Sequence, residues 1–161
     1  MIYHGGGGLD DLPRYIEQAC AALRPVRESF DSIVCQGMSG VIVGVPVSLK
    51  LGAPLVIVRK DDDECHSNDK FIGLSALGTR CLFLDDFIGC GTTRRRVENR
   101  IADHQARLVG DYLYRDGVLE IRESDRPPLP KDIEKTLDEM LDYRAIAAQD
   151  YAVRYGKPAP F

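Results

Sequence analysis

Residues 82–93 read Leu-Phe-Leu-Asp-Asp-Phe-Ile-Gly-Cys-Gly-Thr-Thr. Apolar residues run directly into Asp85 and Asp86, so two carboxylates stand at the end of a buried strand. Ionised groups are costly there unless they face a polar ligand or a cation. Gly89 and Gly91 let the backbone turn tightly enough for successive amides to converge on an anion. Thr92 and Thr93 supply hydroxyls and cap the helix that follows, whose amino end favours a phosphate. One end of the segment suits hydroxyls or a metal, and the other suits a phosphomonoester. The plain alternative is a strand that ends in a solvent-exposed acidic turn. Cys90 would have a lowered thiol pKa at such a helix terminus. No histidine is placed beside it by the sequence, so a small residue in a backbone turn is the better reading than a nucleophile.

These groups need a scaffold. Residues 9–30 have helical spacing at Ile16, Cys20 and Leu23, with Pro13 in the first turn and Pro25 ending or kinking the run. Residues 31–35 read as a short buried strand, 37–40 as a Gly-Met-Ser-Gly turn, and 41–51 as a buried helix closed by Gly52. Residues 54–58 form a second strand that ends on Arg59 and Lys60, and 81–84 a third. Between them, 61–69 is polar without apolar periodicity and reads as a loop. After 85–93 a helix is predicted over 93–108, with Val97 and Ile101 on one face. Strands over 108–114 and 118–121 are joined at Asp116-Gly117, and an amphipathic helix follows the Pro127-Pro128 break over about 131–155. The four glycines at 5–8 read as a flexible lead-in. Strands alternating with helices imply an α/β fold: a mainly parallel sheet with helices on both faces. Turns 36–40, 59–70 and 85–93 then fall on one edge of the sheet, where ligands bind in such folds.

The chain has 161 residues, enough for one domain with one ordinary core. Its net charge of −4 argues against general affinity for nucleic acid or anionic membranes. Five cysteines without a Cys-x-x-Cys pair argue against a disulfide framework or zinc site and point to a reducing cytoplasm. No signal peptide and no apolar run of about 20 residues is visible. Gly37, Gly40 and Gly44 lack the G-x-G-x-x-G spacing of a dinucleotide site. Cys65-His66 and the acids 61–64 read as a solvated loop rather than a metal site, and Arg94-Arg95-Arg96 as a solvated or partner-facing patch in preference to a support for a bound phosphate. Tyr112 and Tyr114 either line a pocket or pack against the last helix.

The 82–93 segment resembles the phosphoribosyl pyrophosphate signature of type I phosphoribosyltransferases: apolar residues, two acids, two apolar residues, then a small-residue turn ending in Thr. Residues 31–40 and 51–55 look like that family's first strand, pyrophosphate loop and second strand. Val58-Arg59-Lys60 resembles the basic end preceding its flexible catalytic loop. The resemblance covers roughly 30–113. It implies a type I core, with a small hood built from the terminal segments, in a single domain over 1–161.

The resemblance also implies roles. Asp85 and Asp86 would hold the ribose hydroxyls, act in catalysis with Lys60, and contact Mg²⁺ directly or indirectly. Gly89, Cys90, Gly91, Thr92 and Thr93 would hold the 5′-phosphate. Gly37, Met38, Ser39, Gly40, Arg59 and Lys60 would hold the pyrophosphate. The implied activity is transfer of ribose 5-phosphate from phosphoribosyl pyrophosphate to a purine, pyrimidine or related base in a Mg²⁺-dependent homodimer, with the 61–70 loop closing over the site. Some departures from the family pattern stand out. Ser39 lies where some adenine-type relatives have Arg, Gly89 where hypoxanthine-type relatives have an Asp base, and 61–64 are acids where orotate-type loops have Lys. His66 is one residue out of register with the orotate-type histidine. These differences leave the base open and motivate an alternative, a non-catalytic module that senses phosphoribosyl pyrophosphate or a nucleotide.

Overall fold

The computed structural model describes residues 11–60 and 69–125. The chain divides into two units, 1–127 and 128–161, and the following concerns the first. The expected lead-in at 5–8, most of the 61–69 loop, the helix at 131–155 and the hood lie outside the described residues.

The first helix, α1 (Leu12–Leu23), carries Pro13 in its first turn and gives way to a 3₁₀ stretch, Arg24–Ser29, that contains Pro25. β1 (Ser32–Gln36) follows and is buried along its whole length. A strand covered on both faces needs no polar alternation, which is why Ile33, Val34 and Cys35 follow one another between buried Ser32 and Gln36. α2 (Gly37–Leu51) begins on the residue after β1 and ends at Gly52, whose φ of 60° closes the helix in the left-handed conformation. Pro46 lies inside α2 without ending it, between Val43 and Val47, which are buried against the sheet.

The sheet continues with β2 (Leu55–Val58), β3 (Phe71–Ile72), β4 (Arg80–Asp85), β5 (Arg107–Leu113) and β6 (Val118–Ile121), with α3 (Thr92–Ala102) between β4 and β5. The strand order is β3-β2-β1-β4-β5-β6. The four central strands are parallel, and β3 and β6 are antiparallel edges. The mainly parallel α/β expectation therefore holds. β3 was not visible in the sequence, because a two-residue strand between polar residues has no periodicity to read.

Two apolar layers cover the sheet. Ile33, Leu82, Leu84 and Tyr112 face α1 and α2, while Val34, Val58, Phe83 and Leu108 face Val97 and Ile101 of α3. β5 changes phase within its length: Cys81 pairs with Leu108, but Leu82 pairs with Gly110, so Val109 is an extra residue. Beyond this bulge, Asp111 turns to the α3 side and Tyr112 to the α1–α2 side.

The helix expected over 93–108 ends at Ala102. Leu108 continues the spacing of Val97 and Ile101, but Gln105 adopts a φ of 61° and the chain re-enters the sheet at Arg107. Leu108 is in phase with both periods, which is why the sequence overran the boundary.

Candidate functional site

Because β1, β2 and β4 are parallel, their carboxyl ends share one edge. A cleft of about 550 Å³ opens there, lined by Gln36, Gly37, Met38, Ser39 and Lys60 from the first two strand ends and by Asp85 to Arg94 from the third. Of the residues expected to form the site, two do not line it. Gly40 is buried behind the wall, where a Cβ would lie 2.8 Å from Cys35 Cβ and 3.0 Å from the Leu84 carbonyl oxygen. Arg59 lines an adjoining hollow of about 320 Å³ that also touches Gly37, Met38 and Lys60.

The expected 37–40 turn is the first turn of α2. Gly37 makes the bend from strand to helix with a φ of 79°. A Cβ at this position would lie 3.5 Å from Lys60 Cε and 3.8 Å from its Nζ, so the lysine side chain lies across the start of the helix. The first amides of a helix have no intrahelical acceptor. At α2 the N-cap residue, Gln36, makes no side-chain capping hydrogen bond, and no acid stands in the first turn.

The same holds at α3. Thr92 and Thr93 were expected to cap it, but the N-cap is Gly91, which reaches a φ of 75° that threonine rarely adopts. The Thr92 hydroxyl instead lies 3.0 Å from Cys90 Sγ. Two helix amino ends therefore meet at the cleft without side-chain caps, and each offers amides and a positive dipole to an anion.

The two acids stand at the end of β4. Asp85 is 6% exposed. Its Oδ1 accepts hydrogen bonds from Ser39 Oγ at 3.0 Å and from the Asp86 amide at 2.9 Å. Burial outweighs these bonds and pushes its carboxyl up to about 6. Asp86 is half-buried and its Oδ2 lies 3.6 Å from an Arg115 Nη. No group of three His, Cys, Asp or Glu residues arranged to hold a metal occurs among the described residues.

Several residues at or near the cleft have partners that the sequence did not disclose. Arg94 is no solvated patch: its Nε donates to both Asp111 oxygens at 2.9 Å and its Nη1 to Glu98 at 3.0 Å. The signal for this pair was an acid inside the apolar run 108–114. Arg115 lies over the Phe87 ring, 5.8 Å from its centre. Phe87 and Ile88 are exposed at the cleft. Tyr112 packs wholly in the core, whereas the Tyr114 hydroxyl donates to the Ser39 carbonyl at 3.3 Å and its ring meets Tyr15. Gln36 closes the inner wall of the cleft.

No protein-family model matches the chain. The chain is 31% identical over 99 residues to the orotate phosphoribosyltransferase of Archaeoglobus fulgidus, a match covering 62% of this chain and 55% of that protein. It thus spans about half the length of that curated relative. Its fold matches the crystal structure of orotate phosphoribosyltransferase from Aeropyrum pernix with a TM-score of 0.55 at 13% identity, over 66% of this chain and 60% of that one. It also matches adenine phosphoribosyltransferase from Saccharomyces cerevisiae with a TM-score of 0.53 at 20% identity, over 68% and 73%. The parallel core, the strand ends that meet at one edge and these matches agree: the chain carries the type I phosphoribosyltransferase fold.

Proposed function

We propose that the chain binds phosphoribosyl pyrophosphate and transfers its ribose 5-phosphate group to a nitrogenous base, releasing pyrophosphate. The observation that carries this reading is the pair of uncapped helix amino ends on one cleft, with two carboxylates at the strand end between their loops. A ligand with phosphate groups at two ends and hydroxyls between them matches that charge pattern.

In this reading α2 and Lys60 take the pyrophosphate and stabilise it as it leaves. The 89–93 turn takes the 5′-phosphate. Asp86 faces the ribose hydroxyls, with Asp85 fixed behind it by Ser39, and their negative charge favours an oxocarbenium-like ribose. Exposed Phe87 and Ile88 offer an apolar surface at the cleft for a flat base. Mg²⁺ accompanies the pyrophosphate and neutralises charge on the leaving group. The domain boundaries, a homodimer and a cytoplasmic setting belong to the same proposal. Met38, Val45 and Leu49, exposed at helical spacing on α2, support the dimer, and free thiols at Cys20, Cys35, Cys81 and Cys90 support a reducing compartment.

The test is pyrophosphate release from purified protein with Mg²⁺, phosphoribosyl pyrophosphate and a panel of purine, pyrimidine and pyridine bases. Release with one base is expected. Tight binding without release across the panel would make the chain a ligand-sensing module, and no binding would remove the reading.

A further inference from the structure

Gln36 is the last residue of β1, 2% exposed, and lines the cleft beside Gly37 and Lys60. Its Nε2 donates to the Arg59 carbonyl at 3.1 Å. That bond sets the orientation of the carboxamide, since the reversed amide would place two carbonyl oxygens against each other. Its Oε1 is then left as a buried acceptor without a partner among the described residues. A buried polar atom without a partner costs about 1–3 kcal/mol, and no other described residue uses this one.

The position decides what could satisfy it. Gln36 sits at the α2 end of the cleft, which the proposed function gives to pyrophosphate. A bare pyrophosphate oxygen would set lone pair against lone pair. A donor is required, and water bound to a divalent cation is a strong one. We propose, resting on that functional reading, that Gln36 Oε1 accepts a hydrogen bond from a water of the cation carried by pyrophosphate. The cleft then selects the metal complex over the free anion. Gln36 is a specificity-determining residue whose role requires no protein ligand to the metal.

Calorimetric titration with inorganic pyrophosphate, in Mg²⁺ or in chelator, tests this on wild type, Gln36→Met and Gln36→Glu, with ribose 5-phosphate as a second probe. The wild type should prefer the Mg²⁺ complex. Gln36→Met should lose about fivefold to tenfold of that preference while keeping its ribose 5-phosphate affinity. Gln36→Glu, which retains an acceptor and adds charge, should keep or enlarge the preference. An unchanged preference in Gln36→Met would overturn the proposal, and so would a parallel loss of ribose 5-phosphate binding, which would mark a structural role. Wild-type protein that binds neither probe would instead refute the reading of the cleft and this inference with it.

Discussion

The Ser39 hydroxyl donates to Oδ1 of Asp85 at 3.0 Å, tying the first turn of α2 to the end of β4. These residues lie 46 positions apart in the chain, and their bond joins the two halves of the cleft. It also leaves Asp85 buried and ionisable.

Raising Asp85 from 3.8 to about 6 has a definite sign. Its folded-state value lies above its unfolded value, so its contribution to stability is complete below about pH 4 and is lost as the pH rises through about 6. Asp85→Asn should therefore resist urea better than wild type at pH 7.5, by about 1–3 kcal/mol, with the gain vanishing near pH 4. The same variant should bind phosphoribosyl pyrophosphate at least about tenfold more weakly. Wild-type affinity should decline more steeply than the variant's as the pH falls through about 6, where the ligand's phosphomonoester also takes up a proton. Urea midpoints at the two pH values and calorimetry across the range check both halves; a variant less stable at pH 7.5 would contradict the burial argument.

Gly40→Ala should disturb the same junction from behind. Its new methyl would stand 2.8 Å from Cys35 Cβ and 3.0 Å from the Leu84 carbonyl oxygen, so α2 must move away from β4. A loss of about 1–3 kcal/mol in stability is expected, together with weaker pyrophosphate binding as Ser39 is drawn off Asp85. Gly52→Ala, which meets nothing within 4 Å but must hold a φ of 60°, should cost about 1 kcal/mol and leave binding alone. Equal binding losses in both would disprove the coupling.

Asp111→Ala should cost about 2 kcal/mol or more, because Arg94 would keep only Glu98 in a setting where its side chain is 25% exposed. Arg14→Ala, which breaks a pair with side chains 60% and 38% exposed, should cost less than about 1 kcal/mol. Guanidinium denaturation with unchanged slopes would compare them, and similar costs would show that the Arg94 pair carries no special weight.

Cys90 should be the first of Cys20, Cys35, Cys81 and Cys90 to react with iodoacetamide. It alone among them is exposed, and the Thr92 hydroxyl 3.0 Å away lowers its thiol, whereas burial pushes Cys35 up to about 12. Ribose 5-phosphate should slow the reaction, and Cys90→Ser should bind it normally. Peptide mapping by mass spectrometry reads the order of labelling. Labelling unaffected by ribose 5-phosphate would place the phosphate elsewhere.

Much of this was legible in the residues. Apolar runs that stop at Gln36, Arg59 and Asp85 marked the three parallel strand ends and their common edge. Cleft-lining glycines and acids stand out because they break the pattern of a core. Less legible were features that depend on partners far along the chain. Arg94 looked solvated or partner-facing before Asp111 was placed opposite it, and Gln36, read as part of the 36–40 turn, gave no sign of its orphaned oxygen. Caps were misassigned to Thr92 and Thr93 because threonine is a good cap, while the backbone demanded a left-handed residue at Gly91. Leu108 extended a helical spacing that the sheet had already claimed.

The extra residue at Val109 bears on how this site tolerates change. The bulge keeps the residues beyond it in step with β4, so Asp111 shares the face of Phe83 and Tyr112 that of Leu84. Deleting Val109 would make Leu108, opposite Cys81, and Gly110, opposite Leu82, direct neighbours in a regular ladder, with Asp111 still on the α3 side and Tyr112 still on the α1–α2 side. β5 thus holds one residue more than its pairing with β4 requires, and the bulge is the place where its length can change by one without exchanging the two faces of the strand.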